Sequence, residues 1–423
     1  MKRLPSVCVV GSGPAGIYTA KRLEKHCRVT VLEAALLPGG LLRTGVSPFH
    51  AELRRIGNTA SLLCGVRVHG NHADIQQKHA NSVSLDTLRS LYSAVVFCVG
   101  SSAENVLSLP TAPQNIDNCE HVITSRKFVS WYNSDLHSTI APEIPPNVLI
   151  IGHGNVSLDV ASILLSPHQT LSKTDISKPA LSVLKTSNVT NVSLVARRGP
   201  LQSQFTTSAF RSLLKSCARN SDLNITTDVD LILREMNSHP EVAQERPRKR
   251  LLDLILKSVN ESQSRNLANM KDSELAGKPT IHPKTLNIVY NSVPVRLNLT
   301  FGNKLKSVTF KRTELVYSLS SEAVKVHVLD KEYEIECELV ITCIGYKNTK
   351  LDGLPFDNLK NVINNRNGRV INEENESIMD GLYVAGWIKT GPTGVIGILK
   401  IIKQKQCGML TKPLTVLSRI SQG

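Results

Sequence analysis

The sequence predicts an α/β fold with two Rossmann-like units, on three observations. The apolar run Val7-Cys8-Val9-Val10 leads straight into Gly11-Ser12-Gly13-Pro14-Ala15-Gly16. A second run, Val148-Leu149-Ile150-Ile151, leads into Gly152-His153-Gly154-Asn155-Val156-Ser157. Further short apolar runs at 94–99, 339–344 and 381–385 also stop at a glycine, where a backbone can come close to a ligand. In a strand–turn–helix setting the glycines let the chain approach a pyrophosphate, and the helix N-terminus offers N–H groups and a positive dipole end. One such fingerprint is a weak signal. Two with the same framing imply two dinucleotides, one flavin and one nicotinamide.

Taken in order, the first fingerprint opens a helix over about residues 16–25. The strand Arg28-Val29-Thr30-Val31-Leu32 then ends at Glu33. That carboxylate stands where ribose hydroxyls are bound; the alternative is a solvated strand-end charge. Residues 37–46 form a glycine-rich loop too irregular for a helix. The second fingerprint lacks the acid. Its next strand, Val192-Ser193-Leu194-Val195, ends in Ala196-Arg197-Arg198-Gly199-Pro200. Two guanidinium groups at that position suit a 2′-phosphate and point to NADP(H) over NAD(H), the alternative being a surface basic pair. Residues 170–189 and 218–280 read as helices with long loops. Segments 286–300 and 305–328 alternate like hairpin strands. The order of the pieces predicts an insertion: an FAD domain over 1–108, an NADP domain over 109–330, and the rest of the FAD domain over 331–423.

Composition supports this reading. The apolar content of 41% suffices for sizeable cores, and no apolar run approaches a membrane span. Aromatic residues are only 4%, so stacking platforms for nucleic acid are not expected. The net charge of +15 suits an acidic partner, an anionic surface or plain solubility. The nine cysteines form no CxxC pair and are odd in number, as in a reducing compartment with no redox-active disulfide. Met1-Lys2-Arg3-Leu4-Pro5 runs directly into the first strand, so no cleavable leader is expected.

The chain resembles the adrenodoxin reductase family, NADPH–ferredoxin reductases of glutathione-reductase-like fold. The resemblance covers nearly the whole length. It is carried by Val10-Gly11-Ser12-Gly13-Pro14-Ala15-Gly16-Ile17-Tyr18, Gly40-Leu41-Leu42-Arg43-Thr44-Gly45-Val46 and Phe128-Val129-Ser130-Trp131-Tyr132-Asn133. It continues in Gly152–Ala161, Arg197-Arg198-Gly199-Pro200-Leu201-Gln202, Arg246-Pro247-Arg248-Lys249-Arg250-Leu251 and Gly386-Trp387-Ile388-Lys389-Thr390-Gly391-Pro392-Thr393-Gly394-Val395-Ile396.

The resemblance implies FAD binding by Gly11, Gly13, Pro14, Ala15, Gly16, Glu33, Gly40, Leu41 and Val46, with Trp387, Gly394, Val395 and Ile396 near its ring. It implies NADP(H) binding by Gly154, Asn155, Val156, Arg197 and Arg198. His50 and Asp159 match polar residues near the reacting rings; otherwise they are a loop histidine and a dipole-favoured charge. Arg246, Arg248, Lys249, Arg250 and Lys257 match the stretch that faces an acidic, adrenodoxin-like 2Fe–2S ferredoxin. A monomer in the mitochondrial matrix is implied, with the cytoplasm as the alternative. Phe49 replaces an Asp usual before the histidine, Ala209 replaces a Glu, and Gly39 replaces an aromatic residue. These departures leave room for a weakened flavoprotein scaffold or another electron acceptor.

Overall fold

The computed structural model describes residues 4–55, 61–70, 81–109, 120–134, 142–217, 223–276, 283–317 and 324–392. The chain divides into two compact units. One comprises Met1–Val46, His50–Asn105 and the chain from Gly345 onward; the other comprises Ser47–Phe49 and Val106–Ile344.

The first unit holds a seven-stranded sheet. Ser6–Val10 lies between Arg28–Glu33 and Ala94–Phe97, all parallel, with Leu62–Cys64 beyond Arg28–Glu33. Ile378–Val384 returns parallel to Ala94–Phe97, and two short antiparallel strands finish that edge. Val7, Val9, Val31 and Val96 are fully buried, because a parallel sheet covered on both faces needs apolar side chains at every position. The fingerprint helix Pro14–Leu23 starts with proline in its first turn, where the missing N–H costs nothing.

The second unit repeats this plan. Its six strands run Asn224–Thr227, Thr285–Val289, Asn191–Val195, Asn147–Ile151, Leu339–Thr342 and Val122–Thr124 across the sheet, all parallel. The helix Asn155–Leu165 follows the second glycine turn. An antiparallel meander of Ser292–Leu299, Leu305–Tyr317 and Val324–Glu336 packs below, with Val308 and Phe310 buried. Leu339–Thr342 therefore pairs inside the second sheet, and the chain re-enters the first unit only at Gly345.

The glycine-rich loop contains one helical turn, Leu41–Thr44, where the sequence predicts none. Gly40 (φ 49°) starts it and Gly45 ends it, so glycines that read as an irregular loop in the sequence act as stops for a short helix.

Candidate functional site

In the first unit the glycines meet close-approach requirements. Gly11 has φ 100°, and a Cβ there would lie 2.7 Å from the Cys98 carbonyl oxygen. A Cβ on Gly16 would lie 1.7 Å from the Gly11 carbonyl oxygen. Gly13, by contrast, faces open space, with nothing among the described residues within 4 Å of its Cβ position. The turn presses the helix start against the strand while leaving a cradle over Gly13.

Glu33 is tied into that cradle. Its Oε2 accepts from the Ser12 N–H at 2.8 Å and the Ser12 hydroxyl at 2.6 Å, and its Oε1 accepts from the Ala35 N–H at 2.9 Å. The buried Ser12 hydroxyl also accepts from the Gly39 N–H at 3.2 Å. Ser12 thereby links the fingerprint, the acid and the loop carrying Gly40, Leu41 and Val46. That loop is held further by Arg54, which donates to the Arg43 and Val46 carbonyls at 3.2 and 2.6 Å.

The return strand reaches the same place. A Cβ on Gly386 would lie 2.4 Å from the Ala15 Cβ, so Trp387 follows directly on a backbone that abuts the fingerprint helix. The Trp387 indole stacks on Tyr346 at 6.0 Å between centroids, and its Nε1–H is buried with no acceptor among the described residues. Asn348, which sequence reasoning missed, fixes this turn. It accepts from the Ser101 hydroxyl at 2.6 Å and donates to the carbonyls of Asn361 and Trp387 at 2.6 and 2.8 Å. His50 is half-buried in an irregular turn, its Nδ1 3.7 Å from Glu52. Gly394, Val395 and Ile396 lie outside the described residues.

The second unit shows a matching turn. Gly152 has φ 128° and its Cβ position lies 2.2 Å from the Cys343 carbonyl oxygen, whereas Gly154 faces open space. His153 is buried between Phe205, stacked at 5.0 Å, and Tyr290, edge-on at 5.0 Å. Burial lowers its pKa to about 4, so the ring is neutral and Nε2–H donates to the Leu194 carbonyl at 3.0 Å. Asn155 Oδ1 accepts from the Thr206 N–H at 2.9 Å, which joins the fingerprint to the helix Thr207–Cys217. Thr206 in turn accepts from the Ala209 N–H at 3.1 Å, capping that helix. Val156 and Phe49 pack, partly buried, against the second unit's core.

Arg197 is exposed and Arg198 half-buried at the end of Asn191–Val195. Their backbone is clamped: Thr313 donates to the Arg197 carbonyl at 2.7 Å, and the Asn291 N–H donates to the Arg198 carbonyl at 3.3 Å. Asn291 has φ 52° and donates to Glu235 Oε1 at 3.5 Å. Glu235 occupies the space a Gly199 side chain would need, its Oε1 2.2 Å from that Cβ position. Burial, and then the Arg197 charge, hold the Arg198 guanidinium below the usual arginine range. Among the described residues neither guanidinium has an ion-pair partner. Among the described residues no cluster of acids, histidines or cysteines could hold a metal.

Asp159 is half-buried on the helix Asn155–Leu165, and burial raises its pKa to about 7. A carboxyl whose folded pKa is raised contributes its full stability below the ordinary Asp range and loses it as pH rises through 7. Asp159→Asn is therefore expected to be more stable than the parent protein at pH 8, by about 1–2 kcal/mol for a group still partly in water. The difference should vanish near pH 4. Urea midpoints at the two pH values check this; an equal difference at both would mean that the charge is not responsible.

Comparison with known proteins gives concordant results. Residues 5–277 match the pyridine nucleotide-disulphide oxidoreductase family model. The mitochondrial NADPH:adrenodoxin oxidoreductase of Rattus norvegicus is 35% identical over 93% of this chain and 75% of its own length. The Arabidopsis thaliana protein of that name is 33% identical over 96% of this chain and 82% of its own. Mycobacterium tuberculosis FprA, solved in complex with NADPH, superposes with a TM-score of 0.78 at 26% identity, over 99% of this chain and 86% of that one. With two fingerprints, an acid at the first and an arginine pair at the second, the chain belongs to the adrenodoxin reductase family of FAD- and NADPH-dependent oxidoreductases.

Proposed function

We propose that this reductase passes single electrons from NADPH, by way of FAD, to an acidic 2Fe–2S ferredoxin in the mitochondrial matrix; its relatives' names carry the word mitochondrial. The observation that carries the choice of partner is the start of the helix Arg246–Ala276, where Arg246, Lys249 and Arg250 stand exposed in succession. Lys257 continues that face two turns on, 3.7 Å from Glu261. At about 100° per residue, Arg246, Arg250 and Lys257 fall within roughly 40° of one another.

The residues present fit both cofactors. In the first unit the open space over Gly13, the Glu33 carboxylate and the unsatisfied Trp387 Nε1–H suit the pyrophosphate, ribose and ring of FAD. In the second, the open space over Gly154 and the two arginines, which have no ion-pair partner among the described residues, suit NADP(H). On this reading the first unit is the FAD domain and the second the NADP domain.

FAD, when bound, would supply the chemistry that couples a two-electron hydride donor to a one-electron carrier. The protein's work is to orient and to exclude water. Glu33 would accept from a ribose hydroxyl while Ser12 holds it in place. Asn348 fixes the backbone carbonyl of Trp387 and so aims the indole N–H. Arg197 and Arg198 would grip the 2′-phosphate. Asp159, with a pKa about 7, can hold or release a proton at its carboxyl oxygen near neutral pH.

Charge reversal tests the partner. Arg246→Glu with Arg250→Glu is expected to lower ferredoxin-coupled cytochrome c reduction at low ionic strength by tenfold or more, because electrostatic docking mainly sets the on-rate. The deficit should shrink with salt. NADPH oxidation by ferricyanide, which needs no docking protein, should survive. Full retention of ferredoxin coupling would reject this surface; loss of both activities would mean damage to the flavin site.

A further inference from the structure

We infer that Arg248 belongs to the 2′-phosphate site, as a third cation of that site and the clamp of its loop, and not to the docking face of its own helix. This rests on the reading of the Arg197–Arg198 turn as the site of the NADP(H) 2′-phosphate.

Helical phase separates Arg248 from its basic neighbours. It lies roughly 160° around the helix from Arg250 and in phase with Leu252, Ile255 and Val259. Those three are buried at 0% exposure, so this is the face turned to the core. Arg246, Lys249 and Arg250 are exposed, whereas Arg248 is half-buried.

Its contacts lead to the phosphate loop. Arg248 Nη1 donates to the Ser203 carbonyl at 2.6 Å. Ser203 is buried and closes the turn that follows the arginine pair, its N–H donating to the Pro200 carbonyl at 3.2 Å. Arg248 thus pins the far end of the segment whose near end Thr313 and Asn291 hold. The Arg248 Nε–H is buried and has no acceptor among the described residues. Burial, and to a lesser degree the charge of Arg198, hold the Arg248 guanidinium below its usual range, with Glu245 acting in the opposite direction. Arg198 is likewise disfavoured as a cation, first by burial and then by Arg197. Arg198 is thus the middle member of the set, felt by Arg248 and itself acted on by Arg197. A phosphate monoester carries close to two negative charges at neutral pH, and bound at Arg198 it would offset the repulsion on either side. On a docking face, burying this charge against its own domain would bring no return.

The test uses the flavin-loaded protein and two soluble probes, adenosine 2′,5′-bisphosphate and AMP, which differ by the 2′-phosphate. Arg248→Met keeps much of the apolar stem and removes the charge and the clamp. It is expected to weaken binding of the bisphosphate about tenfold and of AMP less than twofold, measured by calorimetry. Arg248→Gln is too short to reach the Ser203 carbonyl but keeps a polar end and removes the charge; a loss of about fivefold or more is expected, and this variant decides the matter if Arg248→Met does not fold. Bisphosphate binding at parental strength in the folded variants, with the KM for ferredoxin raised instead, would overturn the proposal and return Arg248 to the docking surface. An equal loss for both probes would also overturn it, because the 2′-phosphate would then not be what Arg248 serves. The underlying reading fails separately, through unaltered bisphosphate binding in Arg197→Ala with Arg198→Ala.

Discussion

Gly16→Ala is expected to give a protein that is destabilised by about 3 kcal/mol or more and carries no flavin, while Gly13→Ala folds normally. The two glycines belong to one turn and differ in what surrounds them. At Gly16 the new methyl group would sit 1.7 Å from the Gly11 carbonyl oxygen, which is itself fixed because Gly11 lies against the Cys98 carbonyl. Neither neighbour is a flexible side-chain end. The helix Pro14–Leu23 must back away from the strand Ser6–Val10, and Ala15, Ala20 and Leu23 lose packing in the core beneath them. Overpacking of this kind typically costs about 1–3 kcal/mol, and more where backbone has to move. At Gly13 the methyl group meets nothing among the described residues within 4 Å. The apoprotein should accept it at nearly unchanged stability, and only the affinity for FAD should fall, because that space is where the pyrophosphate needs to approach. Urea midpoints and the flavin absorbance of the purified variants separate the two outcomes. A Gly16→Ala protein with a parental midpoint would show that the strand–helix approach is looser than the geometry states.

This contrast also marks what the sequence can show. The fingerprints are legible because their physics is local: strand, glycine turn and helix follow one another within a dozen residues. Glu33 is legible by its distance along the chain from the glycines, and the Arg197–Arg198 pair because it stands where the second fingerprint lacks such an acid. Asn348 is different. Its partners Ser101, Asn361 and Trp387 are scattered along the chain, and an asparagine has no periodicity that announces a buried hub. Glu235 and Asn291 are equally silent, since their role comes from a helix and the turn between two sheets meeting under Gly199. Arg248 was hidden in a different way. In the string Arg246-Pro247-Arg248-Lys249-Arg250 the composition suggests one basic patch, and only the rotation of the helix against the core turns one of those charges inward. The sequence places the return to the first unit near residue 331, whereas the chain there is within one strand of the second unit and adds another, Leu339–Thr342, before Gly345. An apolar strand ending in glycine does not say which of two similar sheets it joins.

Arg197→Ala with Arg198→Ala is expected to raise the KM for NADPH by a hundredfold or more and that for NADH by less than threefold. A charge-assisted hydrogen bond contributes about 1.5–3 kcal/mol, and two lost together amount to a preference of at least two orders of magnitude. NADH lacks the 2′-phosphate and forfeits little. Of the single variants, Arg198→Ala should cost more, since its half-buried guanidinium acts in a less watery setting than the exposed Arg197. The fold should tolerate the change, because the loop is held through the backbone carbonyls of these residues by Thr313 and Asn291. Stability in the absence of nucleotide offers a second reading of the same site. Arg198 is disfavoured as a cation by burial and by its neighbour, so removing both charges relieves a repulsion that only an anion otherwise satisfies. The double variant should therefore melt at or slightly above the parental temperature without ligand, and should lose the stabilisation that NADP⁺ gives the parent. Steady-state kinetics with both nucleotides and thermal melts with and without NADP⁺ supply the four numbers needed. An unchanged NADPH-to-NADH ratio would place the 2′-phosphate elsewhere. A lower melting temperature without ligand would instead make the pair a structural support of the loop.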